Sequence, residues 1–297
     1  MPQSFDDFSS AAAFLGRFLP RAEALGYEGA WVQEQILGDA PLLEPVTLIT
    51  FAAALTSKLR LGTSVLITVI RNPVQLAKSL ASLDQLSKGR IIVGVGVGGP
   101  HIPEPVFGVP SERRGRRFVE GLQVMKALWT ERHATIRGEF WRFTDVAMEP
   151  KPAQKPHPPI WFGARDAVAL KRAARLGDGW MGAGSSSSSD FLSQTELLRR
   201  FLDEEQRDPT EFTVSKRVSL AVDNDRKRAE RRLREWFGVR YKQADMASRV
   251  SIWGGRAECI DKLGDLIRAG AGHLLLNPVF DETEHLELLA SDVIPKL

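Results

Sequence analysis

The feature that most constrains this chain is a rhythm. Short apolar runs alternate with amphipathic segments from one end of the sequence to the other. Residues 30–32, 59–70, 91–98, 158–163, 180–181, 212–222 and 273–277 read as seven strands. Residues 44–56, 73–87, 116–129, 166–176, 191–202, 226–237, 257–269 and 284–289 read as helices, after a first helix on which Phe14, Leu15, Phe18, Ala22 and Leu25 share a face. Strands that alternate with helices of about 10–15 residues imply βαβ units and a parallel sheet. The run Arg90-Ile91-Ile92-Val93-Gly94-Val95 is apolar on both faces, as a strand covered by helices on each side must be. A doubly wound sheet and a (β/α)8 barrel both fit this alternation. Seven evenly spaced units without a clear linker favour the barrel, as one domain over residues 1–297.

Composition narrows the class. The 297 residues contain a single cysteine, Cys259, so no internal disulfide can form, which fits a reducing compartment. A chain of this length buries enough apolar surface to need no staple. Forty basic and 37 acidic residues leave a net charge of +3, too little to argue for a nucleic-acid partner. Residues 1–8 carry Asp6 and Asp7 and lack the apolar core of a signal peptide. The sequence has no apolar run of the roughly 18 residues needed to span a bilayer. The expectation is a soluble cytoplasmic protein without a membrane partner.

Several stretches bear on chemistry. Gly94-Val95-Gly96-Val97-Gly98-Gly99 matches G-x-G-x-x-G formally, but a dinucleotide fingerprint needs a helix to open inside it. Pro100, Pro103 and Pro105 follow, so no helix is expected before Ser111, and a nicotinamide-only Rossmann dehydrogenase is disfavoured. The glycines instead allow a flat ligand to lie against a strand end. Trp161-Phe162-Gly163-Ala164-Arg165-Asp166 reads as a strand turning into a helix, where backbone N–H groups and Arg165 can hold a phosphate. Ser111 is the expected N-cap of the next helix, with Glu112 and Glu120 or a bound anion balancing Arg113 and Arg114. Residues 184–189, one glycine and five serines, read as a mobile loop. His101, His133, His157, His273 and His285 show no metal-ligand spacing. His101, on a long loop after a strand, is a candidate at the substrate. Neither G-x-S-x-G nor G-x-x-x-x-G-K-[ST] occurs.

Taken in order, these pieces resemble the luciferase-like monooxygenase superfamily of flavin- and deazaflavin-dependent oxidoreductases. The segments are Ala24-Leu25-Gly26-Tyr27, Leu59-Arg60-Leu61-Gly62-Thr63-Ser64-Val65, Arg71-Asn72-Pro73-Val74, Leu83-Asp84-Gln85-Leu86-Ser87-Lys88-Gly89-Arg90, Glu149-Pro150-Lys151-Pro152 and Ala174-Arg175-Leu176-Gly177-Asp178-Gly179-Trp180. The resemblance implies a TIM-like barrel with the cofactor, F420 or FMN with a lean to F420, at the C-terminal ends of the strands. It places a non-proline cis peptide at Ser64-Val65 behind the cofactor ring. It places Gly96 and Gly98 against that ring, and the cofactor phosphate at Gly163, Ala164 and Arg165. Ala164 stands where the family often has a second glycine. Gln33, Glu34 and Gln35 fall at a strand tip where members often carry an acid and a histidine. Gln35 removes the histidine and leaves Glu34 as the acid–base candidate.

The expected activity is hydride transfer to or from a small organic substrate, with oxygen activation if the cofactor is FMN. A barrel that binds a flavin or ligand without turnover is the alternative. Helices 44–56 and 73–87 could supply a homodimer face or be buried in a monomer. The resemblance also has a strand before the first helix. Residues 1–8 cannot form a buried apolar strand, so that first strand is expected to be missing or severely shortened.

Overall fold

The computed structural model describes residues 1–5, 7–99 and 104–297. His101 lies outside them. The helices are α1 (Ala11–Ala24), α2 (Pro45–Leu55), α3 (Pro73–Leu86), α4 (Arg114–Thr130), α5 (Ala167–Leu176), α6 (Ser188–Glu204), α7 (Arg226–Tyr241), α8 (Met246–Val250), α9 (Arg256–Arg268) and α10 (Glu282–Leu288). The strands are β1 (Gly29–Val32), β2 (Arg60–Thr63), β3 (Leu66–Ile67), β4 (Ile91–Gly96), β5 (Ala134–Arg137), β6 (Arg142–Val146), β7 (Ile160–Gly163), β8 (Gly179–Gly182), β9 (Thr213–Val222), β10 (Ser251–Gly254) and β11 (His273–Pro278). All seven expected strands are present. Among the described residues before α1 there is an isolated bridge at Ser4 and a 3-10 turn at Phe8–Ser10, and no strand. No helix among the described residues is long and apolar enough to cross a membrane.

The chain packs as two compact units: Met1–Tyr27, Asp39–Pro41 and Trp161–Leu297 in one, Glu28–Gly38 and Leu42–Ile160 in the other. In the unit that holds β4, parallel pairing runs β1 to β2 and β2 to β4, with β3 also on β4. Residues 59–70, expected as one strand, therefore form two short strands and a 3-10 turn. Gly62 pairs with Ile92 and Leu66 with Val95, so the register slips by one residue across Ser64 and Val65. Every residue of β4 is buried, as its apolar run requires. Asn72 caps α3 through Val74 N at 2.9 Å, and Pro73 takes the first helical position, where its missing N–H costs nothing. Arg90 ends α2 by donating to the Ala53 and Thr56 carbonyls at 2.9 and 3.0 Å. The proline-rich run after β6 is tied down where buried Asp84 accepts the backbone and side-chain N–H of Gln154, both at 2.8 Å. Helices α2 and α3 leave Phe51, Val74 and Leu86 exposed. The β5–β6 hairpin was not expected, because its strands are polar and mostly exposed.

The other unit is built on β9. This ten-residue strand pairs in parallel with β8 at its start, β11 along its middle and β10 at its end, and β8 pairs with β7. Its core joins Trp180, Phe191, Leu198, Phe212, Leu220, Cys259 and Leu263. The ring of Trp180 stacks on Phe191 at 5.3 Å and 10°. A smaller cluster packs Leu233 and Phe237 of α7 against Val250 and Trp253.

Candidate functional site

In the unit of β4, the tips of β1, β2 and β4 carry most of the expected residues. The Ser64–Val65 peptide is cis, as the resemblance implied. Ser64 N donates to Val32 O at 2.6 Å, and Thr63 Oγ1 to Gly94 O at 2.8 Å, so the end of β2 is fastened to both neighbours. A Cβ on Gly96 would stand 2.7 Å from Val65 Cγ2. Only glycine lets β4 pass this close to Val65. Gly98 adopts φ +79°, which a side chain would strain. No helix opens between residues 94 and 99, so the formal G-x-G-x-x-G is not a dinucleotide fingerprint.

Glu34 is not poised in open space. Its side chain is 0% exposed, and both oxygens are engaged. Oε1 accepts from Arg71 Nε at 2.8 Å and from Nη2, and Oε2 accepts from Ile67 N. Arg71 also reaches Glu44 Oε1 at 2.7 Å, while Glu44 Oε2 caps α2 through Thr47 N at 2.7 Å. Burial pushes the Glu44 carboxyl up, but the Thr47 N–H and Arg71 outweigh it and hold the carboxyl below its ordinary value. Glu34 is thus held from both sides, by Arg71 and by the Ile67 N–H. Gln33 and Gln35 are half-buried on the same strand tip.

The basic stretch before α4 differs from expectation. The N-cap is Arg113, in the left-handed region, and not Ser111. Arg113 pairs with Glu139 on the β5–β6 turn. Glu120 accepts the Glu139, Phe140 and Trp141 N–H groups at 2.8–3.0 Å. Arg114 donates to Val97 O and Gly99 O at 3.0 and 3.1 Å and so holds the glycine segment in place.

In the unit of β9, Gly163, Ala164 and Arg165 form the turn between β7 and α5. The buried Trp180 indole donates to Ala164 O at 2.9 Å. This fixes the peptide although alanine replaces the usual glycine. Asp166 caps α5 through Ala169 N at 2.9 Å. Arg165 Nη1 donates to Ser185 Oγ at 3.2 Å, and Gln194 Nε2 of α6 donates to Arg165 O at 3.2 Å. The serine run is organised rather than loose. Ser187 and Asp190 form a capping box, so α6 begins at Ser188. Lys216 of β9 donates to Ala183 O at 2.5 Å and Ser186 O at 2.8 Å. His285 is buried and serves the backbone: Nε2 accepts from Val222 N and Nδ1 donates to Asp281 O, both at 3.1 Å. Among the described residues no cluster of His, Cys, Asp or Glu is placed to hold a metal ion.

No role was assigned to Arg71, Ser185 or Lys216 from sequence, and Arg114 was read only as a charge to be balanced. Lys216 had a signal: the pair Lys216-Arg217 interrupts an otherwise uncharged strand.

The family model described as luciferase-like monooxygenase matches residues 7–273, a single match that runs through both units. The chain belongs to the luciferase-like monooxygenase family. A protein of Mycobacterium tuberculosis is 42% identical over 153 residues, 48% of this chain and 54% of that protein, so the match spans about half of that relative's length. An F420-dependent glucose-6-phosphate dehydrogenase of Kineococcus radiotolerans is 28% identical and covers 95% of this chain and 92% of its own length. Among solved structures, the monooxygenase RslO1 of Streptomyces bottropensis matches with TM-score 0.84 and 25% identity, over 98% of this chain and 94% of its own. An F420-dependent secondary alcohol dehydrogenase with a bound F420–acetone adduct matches with TM-score 0.85 and 22% identity, over 99% and 96%. The fold class expected from the sequence, the TIM-like barrel of this family, is therefore shown, with all seven expected strands present among the described residues.

Proposed function

We propose that this member of the family is an F420-dependent oxidoreductase acting on a small organic substrate. The observation that supports it best is the Arg165–Ser185 contact beside the N-terminus of α5. A guanidinium, a hydroxyl and the backbone N–H groups of the 163–165 turn are the donor set a phosphate needs. At the end of β4 Gly96 presents no side chain, so Val65 packs directly on it and the cis-linked segment is held against the strand. In this reading Ser64, Val65, Gly96 and Gly98 contact the ring, while Gly163, Ala164 and Arg165 hold the phosphate.

A bound deazaflavin supplies the hydride-transferring carbon. The chain's own residues bind, orient and shield. Arg71 and the Ile67 N–H hold Glu34, and through it the segment 64–71, in one position; this makes Glu34 a positioning residue until Arg71 releases it. F420 is preferred to FMN because the relative that covers 95% of this chain is F420-dependent. A second reading, binding without turnover, is favoured by Gln35, which cannot carry a proton at the strand tip. The exposed Phe51, Val74 and Leu86 support pairing of two copies through α2 and α3.

The test is direct titration with F420 and with FMN. Micromolar binding of F420, followed by hydride transfer in a substrate screen, bears the proposal out. Micromolar binding of FMN alone moves it to flavin chemistry. Binding of neither sinks it, and tight binding without turnover selects the second reading.

A further inference from the structure

Lys216 is 2% exposed, on the central strand β9. Its stem passes Gly182, where a Cβ would stand 3.2 Å from Lys216 Cδ and 2.8 Å from the Phe191 ring. Its ammonium lies 5.9 Å from the centre of that ring and donates to two main-chain carbonyls, Ala183 O and Ser186 O. Burial pulls its pKa down to about 8. Arg217 on the same strand adds to the effect, and Asp190 on α6 partly offsets it. A buried ammonium held only by neutral carbonyls is a costly way to fill space that a methionine would fill more cheaply. What the charge does is local. One Nζ bound to carbonyls three residues apart closes residues 183–186 into a turn, which the Ser186 N to Ala183 O bond at 3.1 Å completes. Inside that turn stands Ser185, whose Oγ receives Arg165.

We propose that Lys216 is the positioning residue of the phosphate subsite: it fixes the 183–186 turn so that Ser185 and Arg165 are set to receive a phosphate. This rests on the preceding proposal that the 163–165 turn holds the cofactor phosphate. Lys216 touches no cofactor in this scheme. It acts through the loop.

The experiment compares cofactors with and without the phosphate. Full-length wild-type protein, Lys216→Met and Ser185→Ala are titrated with F420 and its phosphate-free riboside, and in parallel with FMN and riboflavin. The pair that the wild type binds is read as a ratio of affinities. The wild type should favour the phosphate-bearing member. Lys216→Met should lower that preference by about tenfold or more, the scale of losing one charge-assisted hydrogen bond, while leaving affinity for the phosphate-free member unchanged. A purely structural lysine would weaken both members together, and that result overturns the proposal. Ser185→Ala removes one half-buried hydroxyl and carries the same expectation, so an undiminished preference in it overturns the proposal even if Lys216→Met does not fold. If the wild type shows no preference for the phosphate-bearing member, the phosphate subsite itself is wrong and both readings fall. If the wild type shows it and the variants keep it, only the role of Lys216 is refuted.

Discussion

The two units each bury a charge next to the residues proposed for the site, and they satisfy it in opposite ways. Glu34 is buried against Arg71, an opposite charge that can satisfy a carboxylate with two N–H groups at once. Lys216 is buried against two carbonyl dipoles with no carboxylate bonded to it. The first arrangement is strong but brittle, because removing either partner strands the other. The second is soft: the ammonium loses its proton at about pH 8, well within reach of ordinary buffers. An ion pair suits a segment that must not move. A lysine on carbonyls suits a turn whose two ends must be held together.

The largest effect should come from breaking the ion pair. Arg71→Met leaves Glu34 buried without its cation and should destabilise the fold by about 3–5 kcal/mol. The Glu34→Met, Arg71→Met double variant removes both charges and should cost much less than the sum of the single variants, as read by denaturant unfolding. Single-variant costs that simply add would mean that the pair is not coupled, and the contrast with Lys216 would collapse.

The next effect concerns pH. Folding holds the Lys216 pKa near 8, against about 10.4 in an unfolded chain. Between those values the unfolded chain binds the extra proton, so the contribution of Lys216 to stability rises with pH. Measured against Lys216→Met, the wild type should gain on the order of 2–3 kcal/mol from pH 8 to pH 10.5. Cys259, pushed up to about 11 by burial, and Tyr27, also raised by burial, act in the opposite direction in this window, but both proteins contain them and the difference cancels them. A flat difference between the two proteins over this range would show that Lys216 is solvated.

These two charges also mark where the sequence stops being legible. The seven strands were readable because buried parallel strands must be apolar runs, and β4 is buried throughout. The glycine tip and the 163–165 turn were readable because close backbone approach and a strand turning into a helix demand particular residue types. The β5–β6 hairpin was not, since exposed polar strands carry no apolar signal. Nor was the split of residues 59–70, because a one-residue slip in register leaves the apolar run unbroken. The partner of Glu34 stands 37 positions away, and the carbonyls held by Lys216 are 30 and 33 positions away. Spacing along a chain says nothing about such pairs. The five serines misled for a related reason: composition suggests mobility, whereas a cap depends on which serine meets which N–H.

The smaller predictions sharpen the contrast between a rigid tip and a soft loop. Gly96→Ala drives a methyl to 2.7 Å from Val65 Cγ2, on a strand that is buried throughout and cannot shift. The expected cost is about 1–3 kcal/mol, with weaker binding of cofactor ring and riboside alike. Shortening the obstruction in Gly96→Ala, Val65→Ala should restore much of it, and a Gly96→Ala protein of unchanged stability would show that the tip yields.

On the loop side the comparable change is Ser187→Ala. Ser187 Oγ accepts from Asp190 N at 3.1 Å, and Asp190 Oδ2 accepts from Ser187 N at 2.8 Å. The variant loses the first bond, together with the exposed Ser187–Ser189 hydroxyl contact at 2.9 Å, and keeps the second, which does not use the hydroxyl. Helix α6 should therefore lose about 1 kcal/mol, the usual value of an N-cap, and no more. Because Lys216 holds the loop at Ala183 and Ser186 independently of the cap, the preference for phosphate-bearing cofactor should survive in Ser187→Ala while it falls in Lys216→Met. Thermal unfolding checks the first statement and the affinity ratio the second. A loss of preference on removing the cap would assign the loop's shape to the start of α6 and not to the lysine beneath it.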